Sequence, residues 1–489
     1  MVSSRRSLVG MLACAAGAAL ALSGGPLPGG AGPTEVVTLS PSQAVSLVTV
    51  AVSPAQAAQA AFSRMTEAQR VGQLFMVGGP ATGIGSATVT AVSRYHVGNL
   101  ILTGRTYTGS SAVRAITSAA DALTTGAATA GVPLFVATDQ EGGYVRVLQG
   151  PGFSWMPTAL TQGTWSDSLL TARAATWGSE VRWSGVDVNL APVLDTVSQS
   201  FAASNAPIGR YQREYGYTPT VVADKGTSFL RGMRSTGLAV TAKHFPGLGR
   251  VTGNTDVTAR VTDTVTTRTS ADLLPFRSAV ASGLDLMMVS SAYYSRIDAS
   301  RPAVFSPTVV TTMIRGDLRF AGVVVSDDLG NAAAVQAWSP GARAVDFIAA
   351  GGDLVLTVNP TVVPAMVGAV IARVAWDASF RAKVDAAALR VLTLKAAHGL
   401  LAPRLATDGI LGPLTVSALQ GWLGVPRTGR LDTTTVVRLQ SRVGTVPDGA
   451  WGPASMAALQ SYLGTYRDGA RTWNTRTVAL LQRYLNTQL

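Results

Sequence analysis

The sequence predicts an α/β protein in which a (β/α)8 TIM-type barrel precedes a small all-α repeat module. Two observations predict this division. Short apolar runs alternate with amphipathic segments across residues 63–403, a pattern typical of parallel strands covered by helices. Leu-Gln pairs then recur at intervals of 20, 20 and 22 residues within 405–489, which indicates stacked units of one turn and one helix.

Eight apolar runs rich in Val, Leu and Ile account for the predicted strands, and eight parallel strands close into a barrel. An open doubly wound sheet is the alternative, but no Gly-rich phosphate loop follows the first run. The predicted strands are 74–77, 97–102, 133–138, 186–193, 238–243, 284–290, 320–326 and 352–358. The predicted helices between them include 111–124, 168–184, 220–235, 269–282, 306–317 and 341–350.

The N-terminal residues predict export. Arg5 and Arg6 precede an apolar run from Leu8 to Leu22 that is short for a membrane span, so residues 1–30 read as an export signal of the general or twin-arginine type. Residues 31–62 read as a low-complexity spacer. The one cysteine, Cys14, lies inside the signal, so the exported chain is expected to have no disulfide, and a lipid anchor at Cys14 is the alternative. No later segment is apolar and long enough to predict a transmembrane span. A secreted, extracellular or wall-associated protein is expected.

The net charge alone does not identify the binding partner. The formal net charge is +12, which suits nucleic acid, an anionic envelope or acidic glycans equally. It also fits a codon bias toward Arg, so the position of polar residues carries more information.

Polar residues follow six of the eight predicted strands. In a parallel barrel these positions meet at the C-terminal rim, where catalytic loops converge. The residues are Asp139, Asp195, Lys243 with His244, Ser290 with Ser291, Asp327 with Asp328, and Asn359. Metal chemistry is disfavoured because the three histidines have no ligand spacing, and no Gly-x-Ser-x-Gly elbow indicates a serine hydrolase. Paired carboxylates with cations are the groups that a retaining glycosidase needs.

Five motifs occur in this stretch. The most specific is Ala242–Gly247, which reads AKHFPG. The others are Val71–Phe75, Asp139–Gly143, Ala191–Asp195 and Val325–Leu329. In sequence and order these motifs resemble glycoside hydrolase family 3 in its β-N-acetylhexosaminidase branch, over roughly residues 63–400.

The resemblance implies roles for five residues and no metal or organic cofactor. Asp327 matches the nucleophile. The groups that hold the sugar match Asp139, Lys243, His244 and Arg213, with Arg210 as the competing choice for the arginine. The implied partner is an N-acetylglucosamine-containing glycan, not nucleic acid.

The acid/base loop departs from the family pattern. Related hexosaminidases carry an Asp-x-His pair in the loop after the fifth strand, whereas this chain has Asn254 and Asp256 at those positions and Leu248 in place of an earlier histidine. Since an aspartate can protonate a leaving oxygen directly, Asp256 is the predicted acid/base, and Glu141 is a second candidate. Glycines in the loop are expected to let it close over substrate.

Residues 405–489 resemble the peptidoglycan-binding-like repeats of secreted bacterial wall enzymes. The resemblance lies in the Asp-Gly-x-x-Gly-Pro and Ala-Leu-Gln patterns at 408–423 and 448–463. Eight arginines against four aspartates suit an anionic bacterial cell wall, and a structural cap without a ligand is the alternative.

Together these features predict a secreted, retaining exo-β-N-acetylglucosaminidase that acts on peptidoglycan or chitin-type fragments. Two alternatives remain open: a β-glucosidase or β-xylosidase of the same family, and a catalytically degenerate wall-binding protein.

Overall fold

The structure, a computed structural model, describes residues 53–401, 405 and 407–486. The predicted export signal, Cys14 and most of the predicted spacer lie outside the described residues. The last part of that spacer is not a linker, because Pro54–Arg64 forms a helix that begins at the side-chain cap of Ser53. This helix buries Phe62 and two alanines and packs against helix Ala378–Ala397. The predicted boundary at residue 62 is therefore wrong, and the folded region already includes Ser53.

The predicted barrel is confirmed. Its eight parallel strands are β1 Phe75–Pro80, β2 Asn99–Thr103, β3 Phe135–Thr138, β4 Val188–Asn189, β5 Ala239–Phe245, β6 Leu286–Val289, β7 Val323–Ser326 and β8 Val355–Thr357. They form one sheet in the order β7-β6-β5-β4-β3-β2-β1-β8, and a bridge between Val325 and Leu354 brings the two edges together.

The fourth strand is much shorter than the predicted run 186–193. Its pairing with β3 and β5 covers only Val188 and Asn189, after which the chain turns toward the rim and regains a single bridge at Val193. Pro192 lacks an N–H group and cannot donate a ladder hydrogen bond. The apolar run therefore continues past the strand into a buried rim segment.

Helices cover the outside of the barrel at the predicted places. The segment predicted at 306–317 is a π-helix, and the one predicted at 269–282 becomes α-helical only at Leu274. The remaining helices of this part are Glu67–Gly72, Ser86–Tyr95, Ser110–Asp121, Gly126–Thr129, Ala159–Gln162, Asp167–Trp183, Pro219–Arg234, Leu274–Ala281, Pro340–Ala350, Val363–Val374 and Ala378–Ala397. No helix among the described residues has the length and apolar character that crossing a membrane requires.

Apolar side chains fill the barrel interior, so the fold has a packed centre and not a pore. Met76, Ile101, Phe135, Leu286 and Val325 are among the buried members of this inner cluster. A second cluster fills the space between strands and helices. This leaves the rim at the carboxyl ends of the strands as the place for an open site.

Buried carboxylates lock the opposite, N-terminal ends of three strands. Asp187, Asp285 and Asp353 accept backbone N–H bonds from the neighbouring strands at 2.8–3.1 Å. Each also pairs with one or more arginines at the barrel base. These acids have structural partners within the fold.

The C-terminal residues form four helices, and a glutamine near the end of a helix bonds to the turn of the next repeat. The helices are Pro413–Leu423, Thr433–Val443, Pro453–Tyr462 and Thr475–Asn486. Buried Gln420 and Gln440 each accept an N–H bond at 2.9 Å from the glycine of the following turn, Gly429 and Gly449. These glycines have positive φ, which explains why the turn position repeats as glycine.

The fourth helix returns to the first repeat. Gln482 accepts the N–H of Gly409 at 2.9 Å and donates to Asp408 at 2.8 Å, and so repeats the contact made between neighbouring repeats. Asn486 forms a reciprocal pair with the backbone of Leu405. The four repeats therefore close into a ring around a leucine core, against which Trp422, Trp451 and Trp473 pack.

Candidate active site

A pocket of about 440 Å3 opens at the carboxyl ends of the strands. All six residues that the sequence assigns to the site line it: Asp139, Arg213, Lys243, His244, Asp256 and Asp327. They come from segments after β3, β4, β5 and β7 and from β5 itself, so closure of the barrel brings them together. Arg210 is exposed and does not line the pocket, which favours Arg213 as the binding arginine.

Two cations and two carboxylates form a continuous network on one side of the pocket. Lys243 Nζ lies 2.5 Å from Asp139 Oδ1 and 2.7 Å from Glu141 Oε1. Arg213 holds both oxygens of Glu141 at 2.8 Å through Nε and Nη2. Glu141 and Lys243 are buried, whereas the Asp139 side chain keeps 29% exposure and is open to a ligand.

Electrostatics excludes Glu141 as a proton donor. Burial on its own would raise the pKa of Glu141, but the charges of Arg213 and Lys243 outweigh burial and lower the pKa to about 2. Burial on its own would lower the pKa of Lys243. The negative charges of Asp139 and Glu141 outweigh burial and raise that pKa above its usual range. Glu141 therefore stays ionised between its two cations, which argues against it as the second acid/base candidate.

His244 is oriented by a buried carboxylate. Its Nδ1 lies 2.7 Å from Asp195 Oδ2, while the backbone N–H groups of His244 and Leu248 donate to Oδ1 of the same carboxylate at 3.2 and 2.8 Å. Because the carboxylate accepts all three bonds, Nδ1 carries a proton and Nε2 is the ring nitrogen left for a ligand. Asp195 is fully buried and acts through His244.

Asp327 sits at the end of β7, half-buried at the pocket wall. Its backbone N–H donates to Val289 O at 3.1 Å, and its Oδ1 accepts the N–H of Asp328 at 2.9 Å. Burial raises the pKa of Asp327 to about 6; positive charge on His244 opposes the rise, and the negative charge of Asp256 adds to it. Asp327 is thus largely ionised at neutral pH and has the protonation state of a nucleophile.

Asp328, its neighbour, shapes the loop. Its two oxygens accept N–H bonds from Gly330, Asn331 and Val358 at 2.8–3.0 Å. Through these bonds the Asp328 carboxylate stabilises the turn that follows β7.

The loop after β5 carries Asp256 to the pocket. The carbonyls of Asp256 and Thr255 accept N–H bonds from Ala333 and Ala334 at 3.0 and 3.1 Å, which ties this loop to the loop after β7. The Asp256 side chain is exposed and lines the pocket. The loop therefore places a second carboxylate beside Asp327, within electrostatic range.

The glycines of this loop serve close packing. A Cβ atom at Gly249 would lie 1.8 Å from Thr196 O, so only glycine fits there. Asn205, from the segment after β4, donates to the carbonyls of Leu248 and Val251 at 2.8 Å and holds the loop down. The first half of the loop is therefore held against the segment after β4, and closure of the loop over substrate stays a prediction.

The pocket also contains residues that the sequence reasoning did not assign. Leu248 is buried and lines it, and Asn254, Thr255 and Asn331 contribute polar groups. The described residues contain no cluster of three or more His, Cys, Asp and Glu side chains able to hold a metal.

Glu141 is expected to be the main stabilising member of the network. Replacing it with glutamine leaves two buried cations short of a counter-charge, so Glu141→Gln should lower the free energy of unfolding by about 3–5 kcal/mol. Asp139→Asn is the matched control and should cost clearly less, because Asp139 is partly exposed and Lys243 keeps Glu141. Denaturant unfolding of both variants measures this, and an equal loss in the two would contradict the ranking.

Comparison with known proteins agrees with this geometry. Residues 66–394 match the glycosyl hydrolase family 3 N-terminal domain. The chain belongs to glycosyl hydrolase family 3. It is therefore a glycoside hydrolase, and the AKHFPG stretch lies inside the matched region of the family.

Similar proteins of this family carry hexosaminidase names. A crystal structure of β-N-acetylhexosaminidase from Beutenbergia cavernae is 49% identical with a TM-score of 0.67, and the match covers 67% of this chain and 98% of that one. A family 3 β-N-acetylglucosaminidase from Paenibacillus sp. FPU-7 is 30% identical with a TM-score of 0.61, covering 70% and 64%. A β-hexosaminidase from Stenotrophomonas maltophilia K279a is 37% identical over 249 residues, which are 49% of this chain and 72% of the relative.

Proposed function

We propose that this family 3 hydrolase is an exported, retaining exo-β-N-acetylglucosaminidase that acts on peptidoglycan or chitin-type wall fragments. The observation that carries the proposal is the placement of Asp327 and Asp256 in one pocket with the hydrogen-bonded network of Asp139, Lys243, Glu141 and Arg213. Two carboxylates that line one pocket, on separate loops, support the proposal of a double displacement.

In the proposed mechanism Asp327 attacks the anomeric carbon and forms a glycosyl-enzyme. Asp256 gives its proton to the departing oxygen and then takes a proton from the water that hydrolyses the intermediate. Asp139, Lys243, His244 and Arg213 bind the sugar. Asp139, which is held by Lys243, offers a hydrogen-bond acceptor, and His244, which is held by Asp195, offers its Nε2 atom. Side chains fixed in this way orient the sugar before the reaction.

An exo mode and an N-acetylglucosamine specificity extend this proposal. The loops after β5 and β7 are bonded to each other across the site, which favours a pocket for a terminal sugar over an open cleft. The N-acetylhexosaminidase names of similar proteins support the sugar.

The test is hydrolysis of 4-nitrophenyl glycosides with the product followed by proton NMR. We expect turnover of the N-acetyl-β-glucosaminide and first appearance of the β anomer of N-acetylglucosamine. Initial release of the α anomer would exclude retention. Turnover of the glucoside or xyloside, without turnover of the N-acetylglucosaminide, would assign the alternative substrates, and no turnover of any would favour a binding protein.

The raised pKa of Asp327 predicts a pH profile. With a 2,4-dinitrophenyl leaving group, which needs no proton, the rate of glycosylation should rise as Asp327 ionises, with a midpoint near the pKa of about 6. Asp256→Asn removes a negative charge that raises the pKa of Asp327, so the midpoint should move to lower pH. Pre-steady-state rates between pH 4 and 8 measure both midpoints, and a shift to higher pH would contradict the assigned interaction.

The repeat ring is proposed to bind the anionic wall. Its residues carry eight arginines against four aspartates, and the aspartates Asp408, Asp448 and Asp468 are engaged by neighbouring glutamines. Sedimentation of the whole protein with purified wall at low and high salt tests this, since counter-ion screening should release it. A fraction bound that does not change with salt would argue against charge as the cause.

The sequence of residues 1–30 supports export.

A further inference from the structure

A second concave site lies at the base of the barrel, at the opposite end from the catalytic pocket. Its volume of about 580 Å3 falls within the range of small-molecule sites. Among the described helices, those that end around it are Asp167–Trp183, Pro219–Arg234, Leu274–Ala281 and Ala378–Ala397. We name this site the base cavity, and the lining residues that matter for its chemistry are Arg182, Arg231, Arg234, Ser282, Asp285 and His398.

The lining of the base cavity is polar and cationic. Of the described residues that line it, three are arginines and one, Asp285, is an acid. Ser282 adds a hydroxyl group beside them. Against an apolar ligand the guanidinium groups would lose their hydrogen bonds to water, so this lining suits a polar anion.

Buried acids orient two of the arginines. Arg234 donates to Asp285 through Nε and Nη2 at 2.9 and 3.1 Å, which leaves its Nη1 outside the pair. Arg182 donates to Asp187 through Nη1 at 2.7 Å, which leaves its Nε outside the pair. Gly283 keeps Arg234 Nη1 uncovered, since a Cβ atom at this glycine would lie 2.8 Å from it. Both guanidinium groups are therefore fixed and still have N–H groups to donate to a ligand.

His398 adds an imidazole where the last barrel helix ends. Its Nδ1 lies 2.9 Å from Gly237 O, and its Nε2 lies 3.5 Å from Asp285 Oδ1. Burial on its own would lower the pKa of His398, but Asp285 and the Gly237 carbonyl outweigh burial and raise the pKa above its usual range. The imidazole therefore becomes positively charged more readily than a free histidine.

Arg231 supplies the charge that the acids do not balance. The two buried acids balance Arg182 and Arg234, whereas the Arg231 guanidinium has no ion-pair or hydrogen-bond partner among the described residues. An arginine in the last turn of a helix stabilises the helix dipole at any surface position. Arg231 differs from such an arginine because it shares a concave cavity with two further arginines and a histidine.

We propose that the base cavity binds a small, polar phosphate ester. A carboxylate presents two oxygens in one plane, which a single arginine satisfies, whereas a phosphate ester presents three acceptor oxygens and more charge. Arginines from two helices, a serine hydroxyl and an imidazole line the cavity and offer several donors to one such group. The volume of about 580 Å3 also accommodates a small polyol attached to the phosphate.

Calorimetric titration of the whole protein with glycerol 3-phosphate at constant ionic strength tests the proposal. We expect saturable binding, which Arg231→Gln should weaken about tenfold because it removes a charge-assisted hydrogen bond. Arg231→Glu should abolish the binding. Arg94→Gln is the matched control, because Arg94 is also exposed in the last turn of a covering helix, Ser86–Tyr95, but does not line the cavity. It should leave the affinity within about twofold.

The three histidines of the chain report where the phosphate binds. In protein labelled with 15N-histidine, glycerol 3-phosphate should shift the ring signals of His398 and leave those of His96 and His244 in place. His244 lines the catalytic pocket, so a shift of His244 without a shift of His398 would place the anion there and overturn the base cavity.

The remaining outcomes are equally decisive, and none of these measurements depends on hydrolysis. Absence of binding, or an equal loss in Arg231→Gln and Arg94→Gln, would overturn the proposal. Glycerate carries a carboxylate in place of the phosphate, and equal affinity for it would overturn the choice of phosphate. Vesicles of phosphatidylglycerol test a lipid headgroup as the source. Vesicle binding that Arg231→Gln weakens and Arg94→Gln does not, without binding of glycerol 3-phosphate, would overturn a soluble ester in favour of that headgroup.

Discussion

Asp327→Ala is expected to lose on the order of 10^4-fold or more in turnover of the N-acetyl-β-glucosaminide, because it removes the carboxylate proposed to form the glycosyl-enzyme. Azide is small enough to enter the space left by the carboxylate. With a 2,4-dinitrophenyl substrate it should attack from the face that Asp327 occupied and yield the α-glycosyl azide. Product NMR measures the configuration, and this product identifies the nucleophile directly.

The adjacent Asp328 supplies the control. Asp328→Asn keeps an oxygen that accepts backbone N–H bonds, so it should retain most turnover and form no α-azide. Formation of the α-azide by an Asp328→Ala variant, with normal hydrolysis by Asp327→Ala, would transfer the role to Asp328. An unchanged melting temperature in Asp327→Ala would show that its loss of turnover is chemical.

The barrel could be predicted from the sequence because its strands are buried on both faces. Such strands read as continuous apolar runs, and eight of them within one segment leave few topologies. The lengths of the strands were less predictable. The run 186–193 contains a strand of only two residues, and its other apolar side chains are buried because they pack at the rim around Asp195. A buried rim segment is as apolar as a paired strand, so composition alone does not distinguish the two.

Site residues could be located by their position after the strands, but their protonation could not. Glu141 and Asp139 stand two residues apart in one motif, yet Glu141 faces both Arg213 and Lys243, whereas Asp139 pairs with Lys243 and stays partly exposed. That difference depends on Arg213, which is 72 residues away in the sequence. Long-range ion pairing of this kind has no local signal.

Acids at the opposite end of the barrel show the same limit. Asp187 and Asp285 stand at the start of predicted strands, and the rule that function lies at the carboxyl ends correctly left them out of the site. Their structural partners, Arg182 and Arg234, lie on covering helices and were not predicted. Ring closure of the repeats was also beyond the sequence, since the fourth repeat departs from the 20-residue spacing, yet Gln482 still reaches Gly409.

Asp256→Ala is expected to show the opposite pattern to the nucleophile variant. Hydrolysis of oligosaccharides, whose leaving oxygen must be protonated, should fall on the order of 10^2 to 10^4-fold, while formation of the glycosyl-enzyme from the 2,4-dinitrophenyl substrate should change little. Azide should then attack the intermediate from the face where Asp256 would activate water, and yield the β-glycosyl azide. Undiminished oligosaccharide hydrolysis without this azide would place the proton donor elsewhere.

The departure from the Asp-x-His pattern makes a second test of Asp256 possible. The double variant Asn254→Asp with Asp256→His restores the residue types of the related loop, and a histidine has an ordinary pKa of about 6.5 against about 3.9 for aspartate. Because the donor must be protonated to act, a donor of higher pKa should move the alkaline limb of kcat/KM for chitotriose to higher pH. Asn254→Asp alone is the control and keeps the aspartate donor. An alkaline limb at the same pH in the double variant and in Asn254→Asp alone would show that position 256 does not supply the proton.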